Sequence, residues 1–357
     1  MALKLILESR NYSVGAMGIA KKWVVVKHFE GEPKPSDLKI VEEELPPIKD
    51  GEYLTQAEYI SVDPYQRRYI TKFPVGITMI GSQVARIIES KNPDYPVGKR
   101  VVGWLGWRTH TILDGKEFSG AALVNQIPYI LPELGGLPPS LALGVAGMPG
   151  NTAYFGLLEA CNPKAGETLV VTGAAGAVGS HAGQIGKIKG MRVIGIAGSD
   201  EKCRWLTEEL GFDHAINYKT GNVGEELRKA APEGVDCFFD NVGGQISSTI
   251  IYQMKLMGRV SVVGSISSYN DDERDIATLP KATIIQPGLV TGQLTVRGVR
   301  VVYWLDRWME GISQNLQWIK EGKLKYRETV TDGFESTFKA FTGMLKGENV
   351  GKAIVRV

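Results

Sequence analysis

Gly173, Gly176 and Gly179 stand at intervals of three between an apolar run, Thr168-Leu169-Val170-Val171-Thr172, and a helix-like stretch that reaches Lys189. Residues this small let backbone N–H groups approach a pyrophosphate, and the N-terminus of the following helix adds positive potential at the same place. The chemistry implied is the binding of a dinucleotide. The spacing G-x-x-G-x-x-G differs from the commoner G-x-G-x-x-G, so the motif needs support from the residues that follow it.

In folds that bind NAD, an acidic side chain about 20 residues past the glycines holds the adenine ribose. Here Gly198-Ser199-Asp200-Glu201-Lys202 fills that place. A hydroxyl and a cation suit a 2′-phosphate and favour NADP, whereas Asp200 would favour NAD if it reached the ribose. As a first-turn helix charge, Asp200 complements the helix dipole instead. On these grounds alone Lys202 serves equally well as a solvated helix lysine. Tyr218 can stack on adenine or cover an edge. Asn241 and the run 264–269 follow strands, at the carboxyl ends where parallel sheets bind ligands.

Other chemistries find little footing. His28, His110, His181 and His214 are scattered, and His181 reads as packing on the helix after the glycines. There is no H-E-x-x-H, no Cys/His grouping for a metal and no G-x-S-x-G elbow. Cys161, Cys203 and Cys237 are widely spaced, which fits a reducing compartment, the cytoplasm. A net charge of +2 gives no reason to expect nucleic acid. The first 22 residues hold no apolar run long enough to span a bilayer, and read as an added tail rather than a presequence.

The elements that position these groups fall into two parts. A chain of 357 residues exceeds a single core and predicts two domains. Its 43 glycines fit many tight turns between short elements. Up to about residue 125, short strands over 23–28, 38–44, 53–62, 84–90 and 99–104 are broken by Gly and Pro, which predicts a β-rich, barrel-like module. A helical region begins at 138, is broken by Gly147-Met148-Pro149-Gly150, and resumes over 152–161 with Asn151 as its cap. Strand and helix then alternate. Strands fall at 167–172, 192–197, 214–217, 235–240 and 259–263. Helices fall at 200–210, capped by Ser199 and ended by Gly211, at 223–230, and from Gly243-Gly244 to 255. This alternation predicts an α/β fold, a doubly wound parallel sheet. The charged stretch 271–286 reads as a mobile loop and 294–303 as a long strand. The helix over 306–321 sets Trp308, Ile312, Leu316 and Ile319 on one side. A strand at 325–330, a helix at 334–346 with Phe338, Phe341 and Leu345 inward, and a strand at 352–357 complete the chain. The last two strands lie outside the repeating unit and are expected to return to the first domain.

Several segments together resemble the prostaglandin reductases of the zinc-free medium-chain dehydrogenase/reductase superfamily. They are Gly147-Met148-Pro149-Gly150-Asn151-Thr152-Ala153-Tyr154-Phe155-Gly156-Leu157-Leu158, the glycine turn, Asn217-Tyr218-Lys219, Phe239-Asp240-Asn241-Val242-Gly243-Gly244 and the run 343–352. Val62-Asp63-Pro64-Tyr65 fits the same pattern, and the likeness covers residues 20–357. The resemblance implies a GroES-like domain (1–145 with 322–357) around a Rossmann domain (146–321). It implies NADPH-dependent reduction of a carbon–carbon double bond conjugated to a ketone or aldehyde, as in 15-oxo-prostaglandins and alkenals. Oxidation of the leukotriene B4 12-hydroxyl with NADP would be a further activity. It also implies a homodimer, in which the strand over 294–303 could pair across a two-fold axis.

The resemblance places the phosphates on Gly176, Ala177, Val178 and Gly179, and the adenosine phosphate end on Lys202 and Tyr218, with Asn241 also touching the cofactor. The nicotinamide half would lie along Val263, Gly264, Ser265, Ile266, Ser267, Ser268 and Tyr269, and along Arg300, Val301 and Val302, with Asn349 reaching it from the C-terminal segment. Arg300 stands where an apolar residue is expected, and the charges of 271–275 stand where a Pro-rich stretch is usual. The N-terminal extension has no counterpart. Hydride addition to an enone leaves an enolate, whose oxygen needs a positioned hydrogen-bond donor. Tyr65, fixed after Asp-Pro, is the candidate donor, and Tyr269 and Tyr303 are candidates for lining the pocket. The rival readings are a quinone reductase of the same superfamily and a nucleotide-binding protein without turnover.

Overall fold

The computed structural model describes residues 19–116, 127–270 and 285–357. The stretch before residue 19, and most of the charged loop expected over 271–286, lie outside the described residues. The chain starts with a two-stranded antiparallel sheet, β1 (Ile19–Val25) on β2 (Leu38–Glu44). β3 (Tyr53–Ser61) follows and ends in a buried turn that opens the short helix α1 (Tyr65–Tyr69). β4 (Gln83–Ser90), β5 (Arg100–Gly103), β6 (His110–Leu113) and β7 (Tyr129–Ile130) extend the sheet around β3. The last two are too short, at four and two residues, for a period to emerge from the sequence.

The helix α2 (Met148–Leu158) corrects the sequence reading. Pro149 falls in its first turn, where a missing N–H costs nothing, so Gly-Met-Pro-Gly starts this helix instead of breaking it. The glycines are there for contact. A Cβ on Gly147 would sit 1.9 Å from the Ala142 carbonyl oxygen, and one on Gly150 would sit 1.9 Å from that of Val145. Asn151 is no cap. It is buried inside the helix, and its Nδ2 donates to the Trp308 carbonyl at 2.9 Å.

The middle of the chain alternates β8 (Thr168–Thr172), α3 (Ala177–Ile188), β9 (Arg192–Ala197), α4 (Asp200–Arg204), β10 (His214–Asn217), α5 (Val223–Ala230), β11 (Val235–Asp240), α6 (Gly244–Ile251) and β12 (Met254–Val262). α7 (Gln286–Gly292) and β13 (Thr295–Gly298) complete the sheet, whose order is β10-β9-β8-β11-β12-β13, parallel throughout. Strand period divides its residues between two faces. Leu169, Val171, Cys237 and Phe239 pack on one side with Phe155 and Ile312, and Val170 and Phe238 pack on the other with Ile194 and Val260. The order reverses between β8 and β11, which opens a crevice at their carboxyl ends.

The long strand expected over 294–303 is only β13. Gln293, at φ 45°, caps α7, and the Leu294 N–H bonds back to the Leu289 carbonyl, so that end belongs to a helix cap. Residues Val301–Arg307 coil as a 3-10 turn that buries Val301 and Trp304. Apolar packing overrides the β-preference of this valine run. α8 (Trp308–Lys320) buries Trp308, Ile312 and Trp318. The chain then returns. β14 (Glu328–Asp332), α9 (Thr337–Leu345) and β15 (Lys352–Arg356) complete the sheet β14-β15-β3-β4-β5-β7, with Ile354 opposite Ser61. α9 buries Phe341 against Trp107, Ile60 and Val355.

Candidate functional site

The glycine turn assigns one task to each glycine. Gly173 adopts φ 58°, a left-handed conformation that lets the chain turn out of β8. Gly176 caps α3 in an extended conformation, and a Cβ on Gly179 would meet the Gly173 carbonyl oxygen at 2.4 Å. Helix and strand can therefore approach only at a glycine. The N–H groups of Ala177, Val178 and Gly179 lie in the first turn of α3, where backbone donors lack helical acceptors. The segment ahead of β15 crosses the same turn. Gly351 donates its N–H to the Ala175 carbonyl at 2.8 Å, and Asn349 Nδ2 donates to the Gly351 carbonyl at 2.8 Å.

At the far end of the crevice the Ser199 hydroxyl accepts from the Lys202 N–H at 3.3 Å and caps α4. Lys202 Nζ donates to the Gly347 carbonyl at 2.6 Å. Burial and then the nearby Lys219 charge pull its pKa below the ordinary lysine value. Two positive charges that act on each other in this way favour an anion between them. Asp200 is tied sideways, its Oδ1 accepting from Asn217 Nδ2 at 2.7 Å. The Tyr218 ring lies over Gly198, where a Cβ would meet it at 2.9 Å.

At the strand ends a buried network went unread in the sequence. Thr172 Oγ1 donates to Asp240 Oδ1 at 2.9 Å, and that oxygen also accepts the N–H groups of Val242 at 2.9 Å and Gly243 at 3.0 Å. Asn241 supplies two more donors. Its N–H donates to Thr172 Oγ1 at 2.9 Å and its Nδ2 to the Thr172 carbonyl at 2.7 Å. Val263 and Gly264 bond back to the Asp240 carbonyl, and Ser267 Oγ donates to the Val242 carbonyl at 2.6 Å. Ser268 Oγ donates to the Ser265 carbonyl at 2.9 Å, and Ile266–Ser268 coil as a 3-10 turn. The Tyr269 hydroxyl lies near Gly264, whose Cβ would meet it at 3.3 Å. Thus 263–269 fold tightly against 240–243. Only an acid at the close of β11 hinted at this hub.

Tyr65 is the first residue of α1 and packs against Trp104 and Tyr69, with ring centroids at 5.4 Å and 6.2 Å. Its hydroxyl oxygen is buried and has no hydrogen-bond partner among the described residues. Burial, and behind it the Asp63 charge, hold the phenol well above its ordinary pKa, so it stays a donor. Two arginines of α1 reach the strand-end turn. Arg67 Nε donates to Asn270 Oδ1 at 3.2 Å, and Arg68 Nη1 makes a long 3.5 Å contact with Ser265 Oγ. Val301 is buried in the core, Val302 is half-buried, Arg300 is exposed, and Tyr303 is 75% exposed to solvent. No three His, Cys, Asp or Glu side chains come together to hold a metal among the described residues.

A parallel sheet with a glycine turn beside its crevice, joined by arginine contacts to a β-rich module carrying a dry tyrosine hydroxyl, defines a class, the medium-chain dehydrogenase/reductases. Residues 21–120 match a family profile described as the N-terminal domain of oxidoreductases, and 177–320 one described as a zinc-binding dehydrogenase. Prostaglandin reductase 1 of Oryctolagus cuniculus is 48% identical over 341 residues, which is 94% of this chain and 92% of that protein. The chain belongs to the prostaglandin reductase family. The NADPH-dependent curcumin reductase of Escherichia coli K12 is 37% identical over 94% of this chain and 96% of its own. The crystal structure of CurA in complex with NADPH from Vibrio vulnificus superposes with a TM-score of 0.85 at 36% identity, over 94% of this chain and 99% of that one.

Proposed function

We propose that this chain uses NADPH to reduce the carbon–carbon double bond of α,β-unsaturated ketones and aldehydes. The observation that carries the reading is the buried Tyr65 hydroxyl, kept protonated and without a partner, on a helix tied to the strand-end turn. A buried polar group without a partner is costly, and a substrate carbonyl would satisfy it.

The residues fit the cofactor. The bare first turn of α3 suits the phosphates, Lys202 with the Lys219 charge acting on it suits a 2′-phosphate, and Tyr218 offers a ring for the adenine. With Asp200 held by Asn217, the group that would prefer an unphosphorylated ribose is engaged elsewhere. Asn241, residues 263–269, residues 300–302 and Asn349 would hold the nicotinamide half. NADPH, when bound, supplies the hydride. Tyr65 does the chain's own work by donating to the carbonyl oxygen as negative charge builds there, a stabilisation that falls mainly on the transition state. The buried ring of Trp104 and the half-buried ring of Tyr69 beside it exclude water from that hydrogen bond.

15-Oxo-prostaglandins and alkenals are the substrates this reading names. Oxidation of the leukotriene B4 12-hydroxyl would be a separate activity, in which the carbinol carbon gives its hydride to NADP+ and the hydroxyl loses its proton. No described helix is long and apolar enough to cross a membrane. The three free thiols suit a cytoplasmic protein. The outer strand β13 is exposed at every position and offers an edge for a second copy. The test is a panel of 15-oxo-prostaglandins, 4-hydroxynonenal, simple alkenones and a quinone, each assayed with NADPH and with NADH. Turnover of the enones with NADPH is expected. Turnover of the quinone alone, or no turnover with NADPH bound, would sink the reading.

A further inference from the structure

Lys352 opens β15 and is 3% exposed. Its neighbours along the strand, Ala353, Ile354 and Val355, are the apolar residues expected of a buried strand. Lysine is almost never so buried without partners, and this one has three. Nζ donates to the carbonyls of Val62 at 2.8 Å and Ala353 at 2.7 Å, and pairs with Asp63 Oδ1 at 3.1 Å. The stem passes Gly144, where a Cβ would lie 3.5 Å from Lys352 Cγ. Glu328, opposite Lys352 on β14, is held by the Ser140 hydroxyl at 2.8 Å.

Two of the three acceptors, Val62 and Asp63, belong to the turn that carries Tyr65. Among the described residues, the other side-chain hydrogen bonds of that turn come from its own stretch of chain, residues 61–80. The Asp63 N–H donates to Gln66 Oε1 at 2.8 Å, and Gln66 Nε2 donates to the Ser61 and Ile80 carbonyls at 3.1 Å and 2.8 Å. The Ser61 hydroxyl donates to the other Asp63 oxygen. Lys352 is the tie that comes from the C-terminal strand, and the residue before it, Gly351, is bonded to the glycine turn. One step of backbone therefore grips both the turn proposed for the phosphates and the turn that holds the hydroxyl. A buried ion pair is a poor source of stability compared with an apolar residue of the same volume. What it provides here is a fixed geometry. We infer that Lys352 is a positioning residue that sets the Tyr65 hydroxyl relative to the bound dinucleotide by holding Val62 and Asp63 against the strand that also seats on Ala175.

This inference rests on the role proposed for Tyr65, and a double-mutant cycle separates the two. Lys352→Met keeps the stem and removes the amine. In the wild-type background it is expected to lower kcat for an enone at least about tenfold, with NADPH affinity held within about threefold. In a Tyr65→Phe background the same change is expected to move kcat less than about twofold, because residues that act through one group are not additive. An equal loss in both backgrounds, or no loss in the first, overturns the inference and leaves the Tyr65 role standing. Full kcat in Tyr65→Phe alone removes the Tyr65 role and the inference with it. Should Lys352→Met unfold because Asp63 is left buried and unpaired, the pair Lys352→Met with Asp63→Asn, which removes both charges, goes through the same cycle with the same outcomes.

Discussion

Tyr65 and His181 are among the buried polar side chains that lack a partner for a polar atom among the described residues, and they do so for different reasons. The Tyr65 hydroxyl is dry and has no partner among the described residues, and Tyr65→Phe is expected to lower kcat by about 10²–10³-fold, the usual loss for one donor to a developing oxyanion. NADPH binding, followed by fluorescence, should be nearly unchanged. Retention of full kcat would remove the assignment. His181 has a packing role, as its place on α3 suggested. It is 3% exposed, and burial pushes its pKa down to about 4 from the ordinary 6.5. The unfolded imidazole therefore takes up its proton first as pH falls. Stability is full above pH 6.5 and declines from there toward pH 4, by up to about 3 kcal/mol. Denaturant midpoints measured across that window should slope less in His181→Gln than in the wild type. At this scale the sequence exposed Tyr65 through the Asp-Pro before it. It hid Lys352 and the Thr172–Asp240 hub, because a buried polar residue in a strand follows the same two-residue period as its apolar neighbours.

Elements whose geometry demands one residue type were legible before any coordinates. β8, the glycine turn and α3 could be read because a left-handed step at Gly173 and a close contact at Gly179 tolerate little else. Ser199 capping α4 and Gly211 ending that helical stretch, with φ 73°, were legible for the same reason. Elements decided by distant packing were not. Asn151 has the chemistry of a cap but spends it on the Trp308 carbonyl, and the valines after Gly298 coil to reach a core shared with Phe155. Gly179→Ala tests the tight contact. Its Cβ would sit 2.4 Å from the Gly173 oxygen and 2.8 Å from the Ala174 Cα, both backbone atoms that cannot swing away. Calorimetric titration is expected to show NADPH affinity reduced at least about tenfold, with a loss of stability of about 1–3 kcal/mol from overpacking. Unchanged affinity would mean that the turn does not carry the phosphates.

Over the whole molecule, chain length and the switch from short strands to strand–helix repeats announced two modules. The two strands left after the repeats announced the return to the first sheet, but not that Gly351 would bond to the glycine turn on the way. The outer edge of the parallel sheet is expected to join two copies. Light scattering should report twice the monomer mass, and Val296→Asp on β13, which sets two like charges near each other across such an edge, should shift the population toward monomer. A monomeric wild type would end the pairing proposal. One further consequence follows from β15 lying between β3 and β14. β3 leaves the ribosome early, and the strand that lies against it is made only after the entire intervening module. The parallel sheet has all its strands by the time Gly298 emerges, so it can close on its own, while the earlier sheet must wait with the edge at Tyr59, Ile60 and Ser61 uncovered. During synthesis the nucleotide-binding half is therefore finished first, and the half that was begun first is the one exposed to misfolding until the last strand arrives.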